Sequence, residues 1–176
     1  MAHVIAVAGK GGVGKTTLCG LLIQYLCDKR KTPVLAVDAD ANSNLNEVLG
    51  VDVEMTLGEI REDVERSADG STSKIPAGMS KADYMEMMVN RCLIEDDDFD
   101  MLVMGRTQGK GCYCFVNGLL QAQLAKLTPN YPYMVVDNEA GMEHISRGIL
   151  PKVDTIILVS DCSRRGVQAV GRIKEL

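Results

Sequence analysis

Gly9-Lys10-Gly11-Gly12-Val13-Gly14-Lys15-Thr16-Thr17 puts four glycines, two lysines and two threonines into nine residues. Glycines let successive backbone N–H groups turn inward around phosphate oxygens. The apolar run His3-Val4-Ile5-Ala6-Val7-Ala8 precedes them and reads as a buried parallel strand. A long amphipathic segment opens at Thr16, and a helix N-terminus adds a dipole that favours anions. Strand, glycine loop and helix form the context that the phosphate-binding pattern G-x-x-x-x-G-K-[ST] requires. In this reading Gly9 to Thr17 bind a nucleoside triphosphate. Lys15 reaches its β- and γ-phosphates, and Thr16 holds Mg²⁺ through its hydroxyl. A glycine-rich turn with no ligand is the plainer alternative, and the agreement of pattern with context outweighs it.

Two acidic stations support the loop. Val37-Asp38-Ala39-Asp40 follows a second apolar run. One of its carboxylates is suited to Mg²⁺ or its waters, the other to orienting an attacking water. Val135-Val136-Asp137-Asn138-Glu139-Ala140-Gly141 ends a hydrophobic strand in an acid, with glycine four residues on. That is the arrangement of a Walker B acid joined to a switch loop: Asp137 serves the Mg²⁺ shell and Gly141 answers the γ-phosphate. Either station alone is weak, because Asp at a strand end is often only a helix cap.

Cys112-Tyr113-Cys114 is the third constellation. In an extended segment residues two apart point to one side, so both thiolates face one metal ion. Arg106 and Lys110 nearby favour the thiolate form. Two sulfurs leave a tetrahedral soft-metal site half built. A two-fold dimer supplies the other half. Two buried loop cysteines are the bland alternative. Cys19, Cys27, Cys92 and Cys162 read as core or incidental residues.

The elements that position these residues alternate. Strands are expected at Val4–Ala8, Val34–Val37, Met101–Met104, Tyr133–Val136 and Thr155–Val159. Helices are expected at Thr16–Lys29, Ser43–Leu49 (capped by Ser43 and stopped by Gly50), Thr56–Ser67, Lys81–Arg91, Val116–Lys126, Met142–Leu150 and Arg164–Leu176. Thr56 and Glu59 have the spacing of a capping box. Ala68–Ser80 reads as a surface loop, and Glu95–Asp98 as a solvated acidic turn. The expected fold is α/β: a mostly parallel sheet with helices on both faces and the candidate residues at the carboxyl ends of its strands. A single domain spans 1–176. It stops inside a charged helix, which the reading takes as C-terminal truncation.

Composition narrows the classes. The 176 residues are 46% hydrophobic, enough for a core, with no Trp and 4% aromatics. The formal charge of −5 and the lack of a basic tract argue against a nucleic-acid binder. No apolar run is long enough for stable membrane insertion, and no signal-peptide pattern opens the chain, so a cytoplasmic location and reduced cysteines are expected.

Lys10 sharpens the reading. Lys10-Gly11-Gly12-Val13-Gly14-Lys15-Thr16 resembles the deviant Walker A motif of the MinD/ParA/nitrogenase-iron-protein class of ATPases. The resemblance implies that Lys10 crosses a homodimer interface to the partner's phosphates, with the charge logic of an arginine finger. It implies Lys10, Lys15 and Asp40 as catalytic residues, Asp40 orienting water, and Thr16, Asp38 and Asp137 around Mg²⁺. Together with Asp38-Ala39-Asp40, Cys112-Tyr113-Cys114 and Ala140-Gly141-Met142-Glu143-His144-Ile145-Ser146-Arg147-Gly148, it is similar to the CooC-type nickel-insertion ATPases. These mature carbon monoxide dehydrogenase and the related acetyl-CoA synthase. That likeness implies ATP-driven dimerisation, one Ni²⁺ or Zn²⁺ between paired Cys112 and Cys114, and hydrolysis during nickel delivery to the client enzyme. Members of that family run longer and add the segments that complete adenine recognition.

Two other classes remain open at this point. One is an electron-transfer protein of the nitrogenase-iron-protein type, with a dimer-bridging [4Fe–4S] cluster on the same four sulfurs. The other is a MinD/ParA-like positioning switch, disfavoured by acidic charge and by the lack of a basic amphipathic tail.

Overall fold

The computed structural model describes residues 2–42, 44–68, 75–106, 114–139 and 148–174. Its strands are β1 (His3–Gly9), β2 (Val34–Ala39), β3 (Leu93–Glu95), β4 (Phe99–Val103), β5 (Tyr133–Asn138) and β6 (Thr155–Val159). The helices are α1 (Lys15–Asp28), α2 (Leu45–Leu49), α3 (Leu57–Ala68), α4 (Lys81–Arg91), α5 (Cys114–Leu127) and α6 (Arg164–Lys174). The sheet order is β3-β4-β2-β5-β1-β6, with only the β3–β4 pair antiparallel.

Strands buried on both faces need apolar side chains at every position, which is why β2 and β5 read as continuous runs. All six residues of β2 are buried, Asp38 among them. On one face Val7, Ala36, Met101 and Val135 pack against Cys19, Ile23 and Leu26 of α1 and Leu45 of α2. On the other face Leu35, Val37, Leu102 and Val136 pack against Leu57 and Ile60 of α3, Tyr84 and Met88 of α4, and Leu120 and Leu124 of α5. The expected α/β architecture is therefore present.

Local chemistry sets the helix boundaries. The Thr56–Glu59 capping box forms in both directions. The Glu59 carboxylate accepts from the Thr56 N–H at 2.7 Å, and Thr56 Oγ1 accepts from the Glu59 N–H at 3.4 Å. Gly50 closes α2 in the left-handed conformation, as expected. The start of α2 differs from expectation. It begins at Leu45 behind Asn44, and the Asp38 carboxylate accepts from the Leu45 N–H at 3.0 Å. Ser43 lies outside the described residues. The strand β3 was not expected. Its three residues turn back on β4 through the exposed Asp96–Asp98, which are the solvated turn expected there. Of the helix expected at Met142–Leu150, residues up to 147 lie outside the described set. Residues 148–150 form a turn rather than a helix.

Gly105 ends β4 against α3. With φ at +70°, a Cβ there would sit 2.4 Å from Thr56. The Gly58 N–H donates to the Met104 carbonyl at 2.9 Å. This close approach fixes where the chain leaves β4.

Candidate functional site

The carboxyl ends of β1, β2 and β5 are neighbours in the sheet, and each carries one station. Asp38 pairs in register with Asp137, which also pairs with Val7. In parallel strands such partners share a face. Both acids therefore lie on the α1 side, beneath the start of α1.

Gly14 precedes α1 with φ at +91° and gives it no side-chain cap. The first-turn N–H groups of α1 thus face the loop without a built-in acceptor, as an anion site requires. Lys15 is 7% exposed, and its Nζ donates to the Lys10 carbonyl at 3.3 Å across the loop. The ammonium also lies close enough to Asp137 to favour its charged form, and the Thr16 hydroxyl hydrogen-bonds the same carboxylate. Lys15, Thr16 and Asp137 are thus brought together as expected.

Burial dominates the electrostatics of the two acids. It raises Asp38 to about 6, with Asp137 and Asp40 adding to the shift and the N–H groups of Leu45 and Asp40 opposing it. Burial also raises Asp137, against the pull of Thr16 and Lys15. Asp137 Oδ1 is buried with no hydrogen-bond partner. Two adjacent buried carboxylates with an unpartnered oxygen, next to a threonine hydroxyl, are a donor set that fits Mg²⁺. Thr16 and Asp137 are the residues that would hold it. Asp38 already accepts from the Asp40 N–H at 3.1 Å and from the Leu45 N–H, so it serves the fold as well.

Asp40 is half-buried, and its Oδ1 accepts from the Asn42 backbone and side chain at 2.8 and 3.1 Å. Lys10 is half exposed and lies 3.9 Å from Asp161, in the turn after β6. Cys114 is the exposed first residue of α5, not part of an extended segment as expected, and is disulfide-bonded. Cys112 and Gly141 lie outside the described residues. Among the described residues no group of three or more His, Cys, Asp or Glu is arranged to hold a metal ion.

Several contacts were not foreseen. Cys19 is buried against Asp137 and hydrogen-bonds it, and burial pushes its thiol far up, so it stays protonated. Asn138 ties β5 to β1 by donating to the Val7 carbonyl at 3.0 Å. Arg106 donates to the side-chain oxygen of Asn42, which links the chain after β4 to the Asp40 turn. Only Asp161, another acid after a strand, had a signal of the kind already used for Asp38 and Asp137.

A family model described as an AAA domain (AAA_31) matches residues 2–176. An uncharacterised ATP-binding protein of Methanocaldococcus jannaschii is 47% identical over 98% of this chain and 67% of its own length. The carbon monoxide dehydrogenase accessory protein CooC of Rhodospirillum rubrum is 30% identical over 98% of this chain and 68% of its own. Among solved structures, the septum site-determining protein MinD of Pyrococcus horikoshii with Mg-ADP superposes with a TM-score of 0.63 at 22% identity, over 99% of this chain and 65% of that one. The chain thus spans about two thirds of the length of these relatives.

Proposed function

The chain belongs to the AAA domain family of P-loop ATPases and has the MinD/ParA kind of fold, and from that premise we propose that it is an ATP-dimerised nickel metallochaperone. In this reading two chains close around two Mg·ATP, with Lys10 of each crossing to the other's phosphates. Asp40 orients the attacking water, and Thr16, Asp38 and Asp137 surround Mg²⁺. Cys112 and Cys114 of both chains hold one Ni²⁺ or Zn²⁺ as cargo, in the reduced dithiol form. Hydrolysis opens the dimer and releases the ion to a carbon monoxide dehydrogenase or acetyl-CoA synthase in the cytoplasm.

The observation that carries this reading is the likeness to the carbon monoxide dehydrogenase accessory protein along 98% of the chain, in a sequence that also has the C-x-C pair. The Arg106–Asn42 contact supports it by tying the chain six residues before Cys112 to the turn that carries Asp40. The test is metal analysis of protein purified without oxygen and with a phosphine reductant, alongside its mass in solution with and without ATP. About one metal per ATP-dependent dimer is expected. A metal-free dimer under nickel saturation overturns the cargo role.

The fold match to a septum site-determining protein favours a second reading, a positioning switch that cycles on a surface. ATP-dependent binding to anionic vesicles or to DNA, without metal, would select it.

A further inference from the structure

One face of α1 is left uncovered. Thr17, Leu21, Gln24 and Asp28 recur at helical spacing and form one wall of a groove of about 610 Å³. Val48 and Leu49 of α2 and Phe99 of β4 close it. At 1.5 Å per residue the wall from Thr17 to Asp28 is about 16 Å long, three turns of helix. Its apolar residues are open to solvent: Leu21 is 59% and Val48 47% exposed.

The far end of the groove is acidic. Asp28 and the turn Asp96, Asp97 and Asp98 line it, and no Lys or Arg does. The described ion pairs, Lys10–Asp161 and Lys126–Glu86, involve none of these four carboxylates. The turn is held in place from both sides. The Asp98 carbonyl accepts from the Val34 N–H at 3.1 Å, and the Asp96 N–H donates to the Phe99 carbonyl at 3.0 Å. The backbone that carries these charges is therefore held beside an apolar trough.

We propose that this groove is a docking site for a basic amphipathic helix of a partner protein, about three turns long, with apolar residues on one face and Lys or Arg at the end that meets the acidic turn. Charge complementarity selects that occupant. Four carboxylates repel an anionic lipid surface. A second copy of this chain offers α6, which carries Arg164, Arg165 and Arg172 beside Val167 and Val170, and the sedimentation arm of the test below separates that occupant. The near end of the groove reaches Thr17, next to Thr16, so a docked helix would bear on the turn of α1 that faces the nucleotide.

The probe is a fluorescein-labelled helical peptide of Leu, Ala and Lys, about 15 residues long, with leucines on one face and lysines toward one end. Fluorescence anisotropy follows its binding to the whole chain. Substituting Asp96→Lys, Asp97→Lys and Asp98→Lys together is expected to weaken binding at least tenfold, and so is Leu21→Glu alone. All four positions are solvent-exposed, and circular dichroism with thermal unfolding verifies the fold of each variant. Glu86→Lys, on the opposite face of the sheet, is expected to leave affinity within twofold. The proposal is overturned if neither groove variant weakens binding, or if Glu86→Lys weakens it as much, which marks non-specific charge attraction. It is equally overturned if Leu21→Glu dissolves a nucleotide-free self-association in sedimentation, which makes the groove an interface between copies.

Discussion

Asp38 and Asp137 stand side by side, as register partners at the carboxyl ends of adjacent parallel strands and on the face that α1 covers. Each is at most 1% exposed. Each carboxyl group raises the cost of ionising the other, and burial raises it further.

This pair makes the nucleotide-free protein sensitive to pH. Asp38 binds its proton more tightly folded than unfolded, with a folded value of about 6 against 3.8. Between those values the folded state holds the extra proton, so stability falls as pH rises from about 4 to about 6. The contribution is up to about 3 kcal/mol at about 1.4 kcal/mol per unit. Urea unfolding from pH 4 to 7 measures the slope. Asp38→Asn is expected to remove this part of it, and Mg²⁺ to offset the loss above pH 6.

Lys10 rests 3.9 Å from Asp161 of its own chain. The proposed trans role requires it to leave that acid for the partner's phosphates. Lys10→Ala is therefore expected to bind Mg·ATP as a monomer with nearly unchanged affinity and to lose the ATP-dependent dimer. Sedimentation velocity with and without ATP reads this, and an undiminished dimer removes the trans role.

Replacing the cysteine pair separates cargo from motor. Cys112→Ser with Cys114→Ser is expected to reduce bound nickel or zinc from about one per dimer to none. ATP-dependent dimerisation should persist. Metal analysis of the reduced protein measures the first, and light scattering the second.

Arg106→Gln tests whether the contact between the chain after β4 and the Asp40 turn matters for metal release. Its guanidinium contacts Asn42, whose amide holds Asp40. The variant is expected to keep metal capture and ATP hydrolysis but to slow ATP-dependent metal release several-fold, followed with a chromogenic chelator.

Gly105→Ala is a prediction about the fold. A Cβ at 2.4 Å from Thr56, on a residue with φ at +70°, forces either the capping box or the β4 end to move. A loss of about 2–3 kcal/mol is expected from overlap and backbone strain combined. Thermal unfolding measures it.

The sequence made the alternation legible because a doubly covered parallel sheet demands unbroken apolar runs, and β1, β2, β5 and β6 have them. The boundaries of α4 coincide with the expected Lys81–Arg91, since Ser80 caps it and accepts from the Asp83 N–H. The strand β3 was illegible because Leu93-Ile94-Glu95 is too short to show a period. The Asp38 contact to Leu45 spans seven residues, too far for the local patterns that mark a helix start to show it. Lys15, Thr16 and Asp137 could be paired from motif logic. Cys19 against Asp137, Asn138 on Val7 and Lys10 beside Asp161 could not, because each depends on which strands lie next to each other. The β1–β6 neighbourhood, for example, joins residues about 150 positions apart in the chain.

The short strand β3 has a bearing on how these molecules behave when crowded. An edge strand offers unpaired backbone groups to any chain that drifts alongside, and long flat edges seed fibrous association. Here the edge is three residues long and runs straight into Glu95, Asp96, Asp97 and Asp98. An identical edge approaching it would bring one row of carboxylates against another. This border of the sheet thus resists sheet-to-sheet polymerisation through length and charge, and no core residue is altered to achieve it.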